Sequence, residues 1–146
     1  MYKFIKYRDS IELNKFLKNK KLTSNSVFRY NFHQSNNDKD QLMMIWQKKN
    51  YLYPPKKFLD SHKIYILMKG KLKVCIFNSK GNIKKVHTLT KANNICRLKK
   101  NVYHADFATS NISIHCEITN HSFKKRKIKF LNKKFLKKIN KNLMFN

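Results

Sequence analysis

Apolar and polar residues alternate with a period of two in short runs from about Val27 to Glu117, and turn-forming residues separate the runs. Successive side chains of a β-strand point to opposite faces, so this period predicts strands that each bury one face. The spacing is typical of an antiparallel sandwich or barrel. The strands are predicted at QLMMIWQ, KIYILMKG, KLKVCIF, KKVHTLT, NICRLK and NISIHCEIT. The pattern therefore predicts an all-β domain.

Two glycines mark turns of this pattern. The chain turns at Gly70, and the segment NSKGN supplies Asn78 and Gly81 for a hairpin turn with positive φ. The predicted apolar core consists of Leu42, Ile45, Ile64, Ile66, Leu72, Val74, Ile76 and Ile114.

Helical periodicity occurs at the two ends of the chain. Residues 1–24 are predicted to contain a short N-terminal helix, because the apolar residues between Asp9 and Lys21 lie close to one stripe. Residues 127–146 are predicted to form a basic C-terminal tail or helix that packs on the barrel of residues 25–126. Its apolar repeat is Ile128, Leu131, Phe135, Leu136 and Ile139. A helix that binds nucleic acid or a membrane surface is the alternative.

Composition fits one folded domain. The 146 residues are 41% hydrophobic and 13% aromatic, which is too apolar for a disordered basic chain. No run approaches the roughly 18 apolar residues of a membrane span, and the N-terminus lacks the apolar core of a secretion signal. Cys75, Cys96 and Cys116 are odd in number and widely spaced, which favours buried thiols over a disulfide or zinc site. A cytoplasmic location is expected.

The net charge of +27 has two explanations that the sequence leaves open. Such a field attracts polyanions, and nucleic acid could bind through the lysine-rich surface. However, nearly all basic residues are lysine, whereas nucleic-acid sites usually exploit the bidentate guanidinium of arginine. Codon drift in an AT-rich genome also enriches lysine, asparagine and isoleucine, so charge alone assigns no function.

Polar side chains form two candidate groups. In RYNFH, Arg29, Asn31 and His33 share one face of an extended segment, which resembles the floor of a polar pocket. In NISIHCEIT, Glu117 shares a face with Ser113, His115 and Thr119, opposite the isoleucines. A carboxylate in so basic a chain indicates either a pocket or a cross-strand salt bridge with a lysine.

The segment NFHQSNNDKDQ resembles the N-terminal signature of the WbuC family of cupin-fold metalloproteins. In that family a tyrosine-rich strand end leads to Pro-His-x-His, then to a Glu, six residues and a Gly, and later to a His that begins a strand. Here the matching elements are Tyr51 to Lys57, Lys63 before Gly70, His104, and EITNHSF from Glu117 to Phe123. The resemblance covers about residues 25 to 126 and implies a cupin-type double-stranded β-helix, which is a jelly-roll barrel.

The chain departs from this family at the metal ligands. Position by position, Pro55 and Lys57 replace the two histidines, Lys63 replaces the glutamate, and His104 alone remains. Proline has no side-chain lone pair and a protonated lysine repels cations, so no metal and no other cofactor is expected. A shifted match that places His62 at the Lys63 position would supply only two ligands.

The resemblance implies a role in surface polysaccharide or nucleotide-sugar metabolism. The first hypothesis is a degenerate, metal-free cupin that binds an anionic sugar-like molecule. The alternatives are a basic nucleic-acid-binding module on this scaffold and a metal-dependent sugar isomerase or dioxygenase. Whether the protein is an enzyme and whether it forms a homodimer stay open. The predicted pocket residues are Arg29, Asn31, His33, Tyr53, Lys57, Lys63, His104 and Glu117.

Overall fold

The computed structural model of the chain describes residues 27–49 and 51–135, without the side chain of Lys133. The predicted N-terminal helix lies outside the described residues. Ten strands and one turn of 3₁₀ helix follow: β1 (Val27–Asn31), β2 (Gln41–Lys48), β3 (Lys56–Phe58), β4 (Lys63–Lys69), β5 (Leu72–Phe77), β6 (Ile83–Leu89), β7 (Ile95–Leu98), β8 (Tyr103–Ala108), β9 (Ile112–Thr119), β10 (Ile128–Phe130), and the 3₁₀ turn Lys133–Phe135.

The strands form two antiparallel sheets of five. The first sheet has the order β1-β2-β9-β4-β7, and the second has the order β10-β3-β8-β5-β6. Each of the six runs predicted from alternation contains a strand, and the all-β class is confirmed. None of the helices in the described ranges is long and apolar enough to cross a membrane.

Apolar side chains pack on both faces of the second sheet. On β5, Leu72 and Val74 belong to one cluster, whereas Cys75 and Phe77 belong to another, as expected for a strand covered on both sides. The first cluster, which we call the apolar end of the barrel interior, consists of Tyr65, Leu67, Leu72, Val74, Leu89, Cys96 and Leu98. The second lies on the opposite face and consists of Cys75, Phe77, Ala105, Phe107 and Leu131.

Strand β9 turns its polar face inward. Ser113, His115, Glu117 and Thr119 are buried, whereas the alternate residues Ile112, Ile114, Cys116 and Ile118 are partly exposed. The prediction that Ile114 belongs to the core was therefore wrong, because alternation shows that two faces differ but not which one points inward. Among the other predicted core residues, Ile45, Leu72 and Val74 are buried as predicted. Leu42, Ile64 and Ile66 are partly exposed, as Ile114 is, so they were also wrong, whereas Ile76 is partly exposed but packs against the apolar cluster.

The two predicted glycine turns have the expected backbone. Gly70 and Gly81 have φ values of 83° and 82°, where a side chain is strained. The Asn78 carboxamide oxygen accepts hydrogen bonds from the backbone N–H groups of Lys80 and Asn82, at 3.0 and 2.9 Å. A Cβ atom on Gly81 would also lie 2.7 Å from Cβ of Phe135, so a side chain has no room there.

The predicted C-terminal helix requires a correction. Residues Ile128–Phe130 form β10, which pairs with β3, and the Leu131 N–H donates to the Pro55 carbonyl at 2.8 Å. After the strand, Leu131 belongs to the second apolar cluster, and Phe135 packs against that cluster. Residues 136–146 lie outside the described ranges, so the tail beyond Phe135 stays a prediction.

Candidate functional site

A polar cavity of about 340 Å³ opens between the two sheets. Most of its lining comes from inward-facing positions of β1, β2, β3, β4, β8 and β9, and the remainder comes from β10 and the connecting segments. The lining residues are Arg29, Asn31, His33, Asn36, Gln41, Met43, Tyr53, Lys56, Phe58, Lys63, Asp106, Glu117, Phe123, Arg126 and Ile128. We call this region the polar end of the barrel interior.

The alternation in RYNFH places Arg29, Asn31 and His33 along one wall of the cavity. Arg29 lies with its guanidinium carbon 4.9 Å from the centroid of the Tyr53 ring. The His33 Nδ1 atom is 3.0 Å from the Leu42 carbonyl oxygen, which fixes the ring against the next strand. Arg29, Asn31 and His33 lie on one wall of the cavity because alternate residues of an extended segment point to the same face. Tyr53, another predicted pocket residue, lines the cavity next to Arg29.

A tight turn around Asp38 accounts for the most distinctive stretch of the sequence. The Asp38 carboxylate accepts hydrogen bonds from the Gln34 and Ser35 N–H groups, at 2.7 and 3.1 Å. These backbone hydrogen bonds lower the pKa of Asp38. The Gln41 carboxamide closes the turn by donating to the carbonyls of Ser35 and Asp38. The stretch NFHQSNNDKDQ thus builds the rim of the cavity.

Lys63 and Glu117 form a buried ion pair on adjacent strands. The Lys63 Nζ atom is 2.8 Å from Glu117 Oε2, and the side chains are only 4% and 8% exposed. Burial acts to raise the pKa of Glu117, but the positive charge of Lys63 and further neighbours outweigh it and hold that pKa below its ordinary value. Glu117 is therefore a carboxylate that accepts from a lysine inside the barrel.

A second carboxyl group, that of Asp106, lines the cavity, and a histidine that is not part of the lining, His115, is buried beside Glu117. The Tyr65 hydroxyl donates to Asp106 Oδ1 at 3.0 Å, and His115 Nε2 is 3.9 Å from Glu117 Oε1. His115 is fully buried, and burial lowers its pKa. Within the described part of the chain, neither ring nitrogen of His115 nor Asp106 Oδ2 has a hydrogen-bond partner.

His104 and Lys57 lie away from the cavity wall. His104 is buried behind Phe58, with ring centroids 5.6 Å apart, and its Nδ1 is 2.9 Å from the Val102 carbonyl oxygen. Burial, together with the charge of Lys63, lowers the pKa of His104 to about 3. Lys57 has Nζ 4.7 Å from the centroid of the Tyr103 ring and does not line the cavity.

The Pro-His-x-His match therefore needs a shift of one residue. A His-x-His spacing places two side chains on the same face of a strand, and on β3 the residues that line the cavity are Lys56 and Phe58. Lys56 is also the strand partner of His104. The assignment of Pro55 and Lys57 to these positions is corrected, because the sequence match could not show which face of so short a strand points inward.

The positions that hold a metal in the resembling family do not fit one here. Lys56, Phe58 and Lys63 offer a cation, an apolar ring and a second cation, and His104 is a single imidazole behind them. Asp106, His115 and Glu117 do bring three ligand atoms within 4.8 Å of one another. However, Lys63 already occupies one oxygen of Glu117, and its charge opposes a divalent ion at this distance.

Arg126 is a cavity residue that the sequence did not indicate. Its guanidinium carbon is 4.7 Å from the centroid of the Phe58 ring, and one terminal nitrogen donates to the His121 carbonyl at 3.3 Å. Within the described ranges its buried Nε has no hydrogen-bond partner. Its position depends on the segment after β9, where no repeating pattern marks a site.

The cavity carries an excess of positive charge. Four cationic side chains line it, namely Arg29, Lys56, Lys63 and Arg126, against the two carboxylates Asp106 and Glu117. Subtracting the two carboxylates from the four cationic side chains leaves a formal excess of two positive charges. A concave site with this balance attracts small anions.

Comparison with known proteins shows similarity in fold rather than in sequence. Residues 20–89 match a family described as a domain of unknown function, DUF6016. No curated protein sequence matches the chain.

Solved structures include proteins with the same architecture. A cupin superfamily protein from Desulfitobacterium hafniense is 12% identical with a TM-score of 0.60, over 82% of this chain and 99% of that one. An uncharacterized conserved protein with a double-stranded β-helix domain from Klebsiella pneumoniae is 11% identical with a TM-score of 0.59, over 77% and 90%. Procruciferin, an 11S globulin from Brassica napus, is 13% identical with a TM-score of 0.53, over 64% of this chain and 23% of that one.

These likenesses confirm the predicted cupin-type double-stranded β-helix. The chain spans about a quarter of the length of the seed globulin it matches, so it corresponds to a part of that protein. The finer resemblance to the WbuC family stays a prediction.

Proposed function

We propose that this cupin-type barrel binds an anionic, sugar-like small molecule in its polar cavity, without a metal, as part of surface polysaccharide or nucleotide-sugar metabolism. The observation that supports it best is the excess of two positive charges on the cavity wall. The volume of about 340 Å³ lies at the lower end of the roughly 300–1,000 Å³ range of ligand sites. A ligand of monosaccharide size fits this volume. The metabolic setting rests on the WbuC resemblance.

Arginine side chains would hold the anionic group. Arg126 has a buried Nε without a partner in the described residues, so an incoming carboxylate or phosphate oxygen would satisfy it. Arg29 lies over the Tyr53 ring and lines the same cavity. A guanidinium binds such groups through two parallel hydrogen bonds, which fixes their orientation.

Uncharged polar atoms would bind the hydroxyl groups of the ligand. Asn31 Oδ1 and the Tyr53 hydroxyl are buried in the cavity wall and have no hydrogen-bond partner within the described ranges. An amide oxygen accepts from a sugar hydroxyl, and a phenol can donate to one or accept from one. Phe123 is 57% exposed at the rim and offers a flat apolar surface to a sugar ring.

Isothermal titration calorimetry with glucuronate, glucose 6-phosphate and glucose tests this proposal. We expect both anions to bind, glucose to bind at least tenfold more weakly, and Arg126→Met to weaken anion binding by at least tenfold. Arg97→Met is the matched control, because Arg97 is an exposed arginine of β7 outside the cavity lining. Equal binding of glucose, or an equal loss in the Arg97 variant, would contradict the proposal.

The nucleic-acid alternative predicts a different result when single-stranded DNA is titrated into the same variants. Binding along a charged surface releases counterions, so affinity falls steeply with salt and responds to loss of exposed lysines. Lys127 and Lys129 are exposed and do not line the cavity. Binding of single-stranded DNA that Lys127→Met and Lys129→Met weaken, and that Arg126→Met leaves unchanged, would favour that alternative.

A further inference from the structure

The two lysines that line the cavity, Lys56 and Lys63, differ in their contacts. Lys63 is ion-paired with Glu117, Arg29 lies over Tyr53, and Arg126 donates to a backbone carbonyl. Lys56 has no carboxylate within ion-pair distance among the described residues. Its Nζ instead lies over two aromatic rings, 5.5 Å from the centroid of Tyr53 and 5.7 Å from that of Phe58.

The surroundings of Lys56 favour the neutral amine. Burial lowers its pKa to about 8, and the charge of Lys63 contributes in the same direction. The Lys63 side chain itself is paired with Glu117, with Nζ 2.8 Å from Oε2. A large fraction of Lys56 therefore has a free lone pair near pH 8, where an exposed lysine is almost entirely protonated.

We propose that Lys56 is a nucleophilic amine that condenses reversibly with the carbonyl carbon of a small anionic carbonyl compound held in the cavity. This inference rests on the proposed anion site, because Arg126 and Arg29 would orient the carboxylate or phosphate of that compound. The ligand class narrows to anions with an aldehyde or ketone, such as 2-oxo acids and the open-chain forms of acidic sugars.

The condensation is balanced without an oxidant or a further reactant. The Lys56 lone pair forms a C–N bond while the carbonyl π pair moves to oxygen, and one proton passes from the nitrogen to that oxygen to give a carbinolamine. The hydroxyl group then leaves with the remaining N–H proton as water, so an amine and a carbonyl yield an imine and one water. Lys63 faces the same cavity and stabilises the negative charge that develops on oxygen.

Lys57 provides a matched control on the same strand. It is the next residue along β3, its Nζ lies over the Tyr103 ring at 4.7 Å, and it does not line the cavity. A reagent that reacts with lysines according to surface access alone would modify Lys57 and Lys56 at similar rates, since both are partly exposed.

Reductive trapping of the full-length protein tests the inference. The protein is incubated with glyoxylate or pyruvate and sodium cyanoborohydride, which reduces an imine to a stable secondary amine, and peptides are mapped by mass spectrometry. We expect one dominant adduct at Lys56, formed at least tenfold faster than at Lys57 at pH 7.5. The Lys56 rate should rise with pH with a midpoint near 8. Acetaldehyde, which carries no charge, should show a smaller preference, because it profits from the lowered pKa of Lys56 but is not held by Arg126 and Arg29.

Variants and a non-reacting ligand separate this inference from the proposed function. Lys56→Arg should abolish the dominant adduct and Lys57→Arg should leave it unchanged, while the map of the unmodified chain localises the adduct even if a variant misfolds. Lactate, which has no carbonyl to condense, reports anion binding alone by calorimetry.

Lactate binding that Arg126→Met abolishes, without preferential labelling of Lys56, would overturn the imine while leaving the anion site standing. Absence of lactate, pyruvate and glucuronate binding would overturn both. Labelling spread over surface lysines in proportion to their exposure would also overturn the imine.

Discussion

The two ends of the barrel interior share strand β4, but their other residues come from different strands and are of opposite kinds. On β4 the inward positions run from Lys63 at the polar end through Tyr65 to Leu67 at the apolar end. Tyr65 joins the two, because its ring packs in the apolar cluster while its hydroxyl donates to Asp106. Apolar packing therefore stabilises one end of this barrel, whereas the other end places charged side chains around a cavity.

The largest expected effect is a loss of stability in acid, caused by titratable groups that are buried in or beside the polar end. His104 is buried with a pKa of about 3, and His115 also has a lowered pKa, so between about pH 6.5 and 3 the unfolded chain binds more protons than the folded one. The free energy of unfolding then falls as the pH falls. Glu117 acts in the same direction, because its lowered pKa stabilises the fold above the ordinary carboxyl range and that contribution is lost in acid.

Urea denaturation from pH 7.5 to 3.5 measures this loss, which we expect to reach several kcal/mol, because one pKa unit corresponds to about 1.4 kcal/mol and the pKa of His104 is lowered to about 3. His104→Gln should flatten the curve below pH 6.5. His62→Gln is the control, because His62 is partly exposed in the segment before β4. An unchanged slope in the His104 variant would show that its protonation does not limit stability.

The second-largest expected loss of stability follows from removal of one partner of the buried ion pair. Lys63→Met leaves Glu117 as an uncompensated buried carboxylate, and breaking such a pair typically costs about 3–5 kcal/mol. The double variant Lys63→Met with Glu117→Gln removes both charges and should regain most of that loss. Chemical denaturation of the two single variants and the double variant gives the coupling energy, and additive losses would mean that the two side chains do not stabilise each other.

A cavity at the apolar end should be costly without affecting the ligand. Leu72 is fully buried in the apolar cluster, so Leu72→Ala should cost about 2–5 kcal/mol. Because Leu72 does not line the polar cavity, binding of glucuronate at a temperature where the variant is folded should not change. A selective loss of binding by the folded variant would show that the two ends are not independent.

The sequence predicted the fold better than it predicted the site, for a physical reason. Alternation identifies strands and the two faces of each, which was enough for an all-β barrel and for the shared wall of Arg29, Asn31 and His33. It does not say which face points inward, so Ile114 was misplaced on β9 and Lys57 was chosen instead of Lys56 on β3.

Arg126 illustrates a second limit of sequence reasoning. It lies in an irregular segment between β9 and β10, where its position depends on contacts with Phe58 and His121 rather than on any local period. Strand β10 was assigned to a helix for a related reason, because a three-residue strand is too short to show alternation.

The smallest expected effect is that of added metal. The cavity holds two more positive than negative side chains, and Lys63 occupies Glu117 at 2.8 Å, so a divalent ion would have to displace an ammonium from a buried carboxylate. Thermal unfolding with zinc, manganese or nickel at tenfold molar excess should therefore shift Tm by less than about 1 °C, because a ligand that does not bind the native state cannot stabilise it. Asp106→Asn removes one member of the only described group with metal-ligand spacing, and Asp60→Asn is its control outside the cavity. A metal-dependent rise in Tm that Asp106→Asn abolishes and Asp60→Asn retains would show that Asp106, His115 and Glu117 bind a cation despite the neighbouring lysines.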